Sequence, residues 1–260
     1  MPRTSPAQAR ERALARALQA ELDALALIYA RQEVRDLTRL RKSAADRDVR
    51  AEERSWGRVA ALLARFGARA VTDAATEVTA GSLVQGVLEG RTPRIKVFQE
   101  WRAGLDRRVA DLRESTREAV RAAVQTIVSE AEAEVPRPST GSIARRIRTQ
   151  LTAEEGRVLA FSSERAALIA RTELNIGANT GLAGGYEALG VEQIEWIAYR
   201  DGRSGDRHHE RMHGKRVKLG EPFTLPSGAQ LRWPGDQDGP IGELANCRCT
   251  TRAVKPRRAT

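Results

Sequence analysis

Apolar residues return every three or four positions through residue 189, and after Gly190 that rhythm stops. A period near 3.6 lines one face of a helix and a period of two lines one face of a strand, so this chain cannot be one kind of structure throughout. Leu14, Leu18, Leu22 and Leu25, continued by Leu37 and Leu40, predict one or two long helices over residues 7–54. The charged interval 46–54, opening on Asp46-Arg47-Asp48, is a candidate hinge. Residues 56–87 continue as helix, with Val59, Leu62, Leu63, Phe66 and Val71 on one side. Gly81, Gly86, Gly90 and then Thr92-Pro93 interrupt it, which makes 90–95 a second candidate hinge. Residues 98–135 read as a further helix with Trp101, Leu105, Val109, Leu112, Val120, Val124 and Val128 buried. The Pro136–Gly141 stretch stops it and supplies a Ser or Thr cap for a short basic helix over 142–151. Ser162 or Ser163 caps a last helix that ends at Gly190.

Beyond Gly190, residues 192–199 alternate polar and apolar side chains, as a half-buried strand does. Segments at Val217, 223–225 and 230–233 read as further strands, with Pro226-Ser227-Gly228 as a hairpin turn. The expected fold class is α+β: an elongated, mainly α-helical N-terminal body over 1–135, then a domain over 136–260 whose small strand-containing C-terminal module begins near residue 191.

Aromatic residues are 4% of the chain and mean hydropathy is −0.48, so the helical core must rest on Ala, Leu, Val and Ile. Alanine buries little area at about 25 cal/mol per Å², hence the expectation of an elongated body or one that leans on a partner. A net charge of +10 suits an acidic partner, either DNA or an acidic protein face. Because Arg alternates with Glu and Asp, the same composition also reads as a solvated helix surface with (i, i+4) pairs. No apolar stretch approaches the roughly 20 residues that cross a bilayer, and Met1–Ser5 leads straight into charged helix, so a cytoplasmic, reducing origin is expected.

The rare chemistry is concentrated after Gly190. All three histidines, His208, His209 and His213, lie within six positions, and both cysteines lie in Asn246-Cys247-Arg248-Cys249. His209-Glu210-Arg211-Met212-His213 fits H-E-x-x-H; on a helix its imidazoles would share a face and chelate zinc, with Glu210 as the base of a peptidase. Alternatively, His209 or His213 joins Cys247 and Cys249 in a structural zinc site, since residues i and i+2 of a strand point the same way. A third reading has two small buried cysteines and solvent-facing histidines. Arg171, Asn175 and Asn179 fall on one helix face beside Thr172 and Glu173, where they could hydrogen-bond the strand module. Pro234-Gly235-Asp236 and Asp238-Gly239-Pro240 read as turns. No phosphate-cradling loop, Gly-x-Ser-x-Gly elbow or dinucleotide fingerprint is found.

The order of these pieces resembles a known family. Ile169-Ala170-Arg171-Thr172-Glu173 with a following Asn, Trp196, Asp201-Gly202-Arg203, His208-His209-x-x-Met212-x-Gly214, Gly220-Glu221-Pro222-Phe223, Pro234-Gly235-Asp236 and Asn246-Cys247-Arg248-Cys249 look like the Mu F-like minor head proteins of tailed bacteriophages. The resemblance spans roughly residues 120–254, and Asn246–Cys249 is its most specific part. It implies a head morphogenesis protein of a phage or prophage, structural and not enzymatic, found in the host cytoplasm during assembly and then in the virion. The implied partners are the portal protein, the major capsid or scaffold protein and double-stranded DNA, with no membrane. Lys255, Arg257 and Arg258 are the candidate DNA-facing residues. The implied structural motif residues include Arg171, Thr172, Glu173, Asn179, Trp196, Asp201, Arg203, His209, Gly214, Pro234, Gly235, Asp236 and Asn246 to Cys249. Within the family pattern His209, Met212 and Gly214 occupy motif positions, whereas Glu210 and His213 fall at variable ones. No cofactor is expected beyond the candidate structural zinc.

Overall fold

The computed structural model describes residues 5–38, 42–79, 96–136, 138–152, 159–199 and 207–254. Its helices are α1 (Pro6–Thr38), α2 (Lys42–Thr79), α3 (Lys96–Ala133), α4 (Thr140–Thr152), α5 (Ser163–Ala188) and the single-turn α6 (Ile241–Leu244). Its strands are β1 (Gln193–Ile197), β2 (Arg216–Lys218), β3 (Phe223–Thr224), β4 (Gln230–Leu231) and β5 (Thr250–Ala253). The class is α+β. The 46–54 interval does not break the chain but lies inside α2, because charged residues without Gly or Pro carry no backbone reason to leave a helix. The second candidate hinge at 90–95, the helix continuation over 80–87, Leu40 and the side chain of Leu37 lie outside the described residues.

The chain forms two compact units whose boundaries fall within helices: 1–62 with 106–167, and 63–105 with 168–260. In the first unit α1 packs on α4 and on the 3₁₀ turn Leu159–Phe161. Leu14, Leu18, Leu22 and Leu25 are buried, as are Ile143, Ile147 and Leu151 on α4. Glu52 on α2 is buried, and three side chains donate to one of its oxygens: Tyr29 through Oη at 3.0 Å, Arg113 through Nε at 3.0 Å, and Arg117 through Nη2 at 2.9 Å and Nε at 3.2 Å. Burial alone would raise its pKa, but the Tyr29 hydroxyl and the two guanidiniums prevail and hold it below the ordinary carboxylate range.

In the second unit α2 and α5 approach at backbone distance. A Cβ placed on Gly177 would stand 2.9 Å from the Gly67 carbonyl oxygen, and one on Gly181 would stand 2.1 Å from that of Val71. Trp101 of α3 fills the space over Gly67 and is buried with Val71 and Ile176. Ser162 caps α5 through the backbone N–H of Arg165 at 3.1 Å. The helix closes on Gly190 at φ 65°, with Val191 N–H bonding Tyr186 O and Gly190 N–H bonding Glu187 O, the Schellman arrangement.

β2, β1 and β5 form an antiparallel sheet in that order, and β3–β4 is a separate hairpin. The hairpin turns at the predicted Pro226-Ser227-Gly228, where Gly228 adopts φ 87°. In the sheet, Glu195 is opposite both Arg216 and Arg252 and accepts from each, at 2.8 and 2.6 Å. β1 turns Ile194 and Trp196 into a core with Tyr186, Met212, Phe223, Leu225, Leu231, Leu244, Cys247 and Cys249.

Candidate functional site

The polar face of α5 meets the C-terminal chain in a row of side-chain bonds. Asn246 stands at φ 59°, and its side-chain oxygen accepts from Arg171 Nη1 while its backbone N–H donates to Thr172 Oγ1 at 3.0 Å. Two turns further along α5, buried Asn179 donates to the carbonyl of Cys249 at 3.0 Å, and Tyr186 donates to the carbonyl of Thr251 at 3.0 Å. Four residues of one helix thus hold three successive points of the 246–251 segment. Glu173 is buried on the same helix, and Arg248 lies 5.8 Å from the centroid of the Tyr199 ring.

This strapping carries both cysteines into the core, at 3% exposure each, against His209 at 1%. His209 opens the four-residue 3₁₀ turn His209–Met212 after His208 at φ 54°. Its Nε2 lies 2.7 Å from Glu243 Oε2, and its Nδ1 lies 3.6 Å from Cys247 Sγ and 3.9 Å from Cys249 Sγ. Trp196 meets the His209 ring edge-on, centroids 5.8 Å apart. Burial opposes a charged His209, but hydrogen bonds with Cys249 and Glu243 prevail and raise its pKa. The Cys247–Cys249 contact splits the pair: it draws the Cys249 thiol well below its usual range and pushes the Cys247 thiol up, with burial adding to the rise. Arg207 fixes the other side by donating to the carbonyls of Gly242, Glu243 and Ala245.

The geometry gives the H-E-x-x-H reading no support. His209 and His213 share no helical face, because the 3₁₀ turn ends at Met212 and His213 departs at φ −56°, ψ 125°. His213 is exposed, and its Nδ1 accepts from the N–H of Ala198 at 3.3 Å. Glu210 pairs with His208 Nδ1 at 3.2 Å. His213 therefore leaves the candidate ligand set, and the group within reach of one ion is His209, Cys247 and Cys249. Gly214 at φ 81° begins the return to β2, its N–H bonding Trp196 O.

The Pro234-Gly235-Asp236 turn belongs to another network. Arg232 binds both oxygens of buried Asp236, at 2.8 Å from Nε and 2.7 Å from Nη2, and reaches Glu100 and Asp238, each at 2.9 Å. Gly235 is at φ 78°, and a Cβ there would stand 3.2 Å from Ile176 Cα. A cavity of about 260 Å³ beside this network is lined by Glu100, Ala183, Glu187, Leu219, Gly220, Arg232 and Trp233, away from the His–Cys group. Sequence reasoning missed Glu243, Arg207 and Glu100. Glu243 sits in an apolar tetrapeptide with no motif spacing to His209, so no signal pointed to it. Asp201, Arg203, Lys255, Arg257 and Arg258 lie outside the described residues.

Fold and site together define a small sheet-and-hairpin module laced to one face of a long helix. Residues 139–252 match the family model described as Phage Mu protein F like protein, the family that the motif order resembles. No curated protein and no solved structure gives a significant match. None of the described helices is long and apolar enough to cross a membrane.

Proposed function

We propose that this chain is a structural minor component of a tailed-phage or prophage head. In this reading it joins the procapsid in the host cytoplasm, engages the portal protein at its vertex together with major capsid or scaffold protein, and remains in the virion against packaged double-stranded DNA. The observation that carries the reading is the family match over 139–252, the same stretch in which α5 and the 246–251 segment lock together. A net charge of +10 suits acidic partners, and phosphate neutralisation is the elementary route to DNA affinity. A peptidase is disfavoured because the candidate base Glu210 bonds His208 and the two histidines it would need do not converge.

The test is assembly. Co-expressed with cognate portal, scaffold and major capsid proteins, the chain should co-sediment with procapsids, and omitting portal should abolish its incorporation. Incorporation without portal would remove the vertex assignment, and no incorporation in the presence of all three would overturn the head-protein reading. Duplex binding should weaken steeply with salt; affinity indifferent to salt would remove the DNA contact. Peptidase activity lost on Glu210→Gln would reverse the choice between scaffold and enzyme.

A further inference from the structure

The His209, Cys247 and Cys249 group has a geometry that head assembly does not require. His209 Nε2–H donates to the Glu243 carboxylate at 2.7 Å, so Nδ1 is the ring nitrogen that can offer a lone pair to an ion. That one lone pair faces two sulfurs, at 3.6 and 3.9 Å, and the three candidate ligand atoms all lie within 4.8 Å of one another. One imidazole nitrogen and two sulfurs thus converge on a single point, as ligands do around an ion.

Zinc explains them. Zn–S bonds of about 2.3 Å and Zn–N bonds of about 2.05 Å at a tetrahedral angle set N···S edges of about 3.5 Å and S···S edges of about 3.8 Å. The two observed N···S separations are already near that edge length. We propose that His209 Nδ1, Cys247 Sγ and Cys249 Sγ bind one zinc ion, which joins the 209–212 turn to the start of β5, with Glu243 as the carboxylate that orients the imidazole. Two thiolates and an imidazole are a donor set for zinc, whereas calcium and magnesium take oxygen ligands. With both cysteines as thiolates and the displaced protons passed to solvent, the ion and its two thiolates form an uncharged centre, which a buried apolar core tolerates. Among the described residues, these three ligands are the ones within reach of the ion. The role is structural: the residues are buried, and Glu243 lies on the far nitrogen of the imidazole. An ion here adds cohesion to a module built of short strands and turns.

The full-length chain, purified without chelator, should carry about one zinc per chain by elemental mass spectrometry. Cobalt exchanged into it should show thiolate-to-cobalt charge transfer and the visible bands of a tetrahedral site. Cys247→Ser, Cys249→Ser and His209→Ala should each lose the ion, while His213→Ala and Glu210→Gln keep it. Glu243→Gln should keep the stoichiometry but lose about 10- to 100-fold in zinc affinity in chelator competition. A cysteine variant that fails to fold would lose zinc trivially, so the cobalt spectrum of the unmutated chain is the deciding measurement. A zinc-free chain with no cobalt–thiolate band after dialysis against either metal overturns the proposal. So does a native Cys247–Cys249 disulfide, or zinc retained in the folded double serine variant.

Discussion

Asn179 shows how one side chain can set the position of a whole segment. Its amide donates to the carbonyl of Cys249 at 3.0 Å and also to its own helix at Asn175 O, 3.1 Å, at 1% exposure. Replacing it with Leu fills similar volume and leaves the Cys249 carbonyl without that donor inside the core. An unsatisfied buried acceptor costs about 1–3 kcal/mol, so Asn179→Leu should lower the urea midpoint accordingly. Asn175→Leu, at a half-buried position, should lower it less. Equal midpoints for the two variants would mean that the Asn179–Cys249 bond contributes nothing. Much of this face was legible beforehand, because 171, 175 and 179 repeat at i, i+4 on an otherwise apolar helix. The acceptors were not legible: Asn246 and the Cys249 carbonyl lie some 70 positions away, and no local pattern encodes that distance.

Among elements, periodicity did well where the buried stripe was long and poorly where geometry came from an absence. The leucine stripe of α1 and the alternation of β1 both announce their elements, and the Ser162 cap and Gly190 terminator mark the limits of α5. The glycines of α5 were overlooked because a missing side chain leaves no hydrophobic signal, although Gly177, Gly181 and Gly185 repeat every four residues against α2. β5 and α6 were missed because each is four residues long, too short for any period to register. The glycine contact yields a direct expectation. Gly181→Val drives Cβ into the Val71 carbonyl, where backbone must move. Overpacking costs about 1–3 kcal/mol or more, and Gly190→Ala, with nothing within 4 Å of its Cβ, should suffer only the strain of its positive φ. Thermal melts of the two variants measure the difference; similar melting temperatures would mean α2 and α5 are not packed this closely.

The Glu52 cluster links α1, α2 and α3 through Tyr29, Arg113 and Arg117, and its pH dependence has a definite sign. The folded pKa lies below the ordinary 4.5, so its stabilising contribution is fully present above that value and is lost as pH falls through the folded pKa. Glu52→Gln should therefore be less stable than the parent at pH 7, with the gap narrowing as the pH drops below about 4.5. Urea midpoints of both proteins from pH 7 to pH 3 test this. A gap that stays constant or widens in acid would show that the carboxylate is not held by those guanidiniums.

For the molecule as a whole, sequence reasoning drew its line at 135/136 because that is where the helical pattern meets Pro136-Arg137-Pro138, a strong local stop. By packing, the unit that holds the His–Cys group also takes residues 63–105. Val71, Trp101 and Ile176 form one buried cluster there, and Glu100 is a partner of Arg232. A fragment of residues 136–260 therefore carries the motif-bearing segment but lacks Val71, Trp101, Glu100 and the helix against which Gly177 and Gly181 close. It should lose the cooperative urea transition seen by tryptophan fluorescence, and its α5 amides should exchange far faster than in the full chain, as in a unit stripped of part of its core. Adding zinc should not restore the slow exchange of α5, because Gly177 and Gly181 would still face solvent. Full protection of α5 in the isolated fragment would mean that residues 63–105 are dispensable and that the boundary read from the proline stop is the physical one.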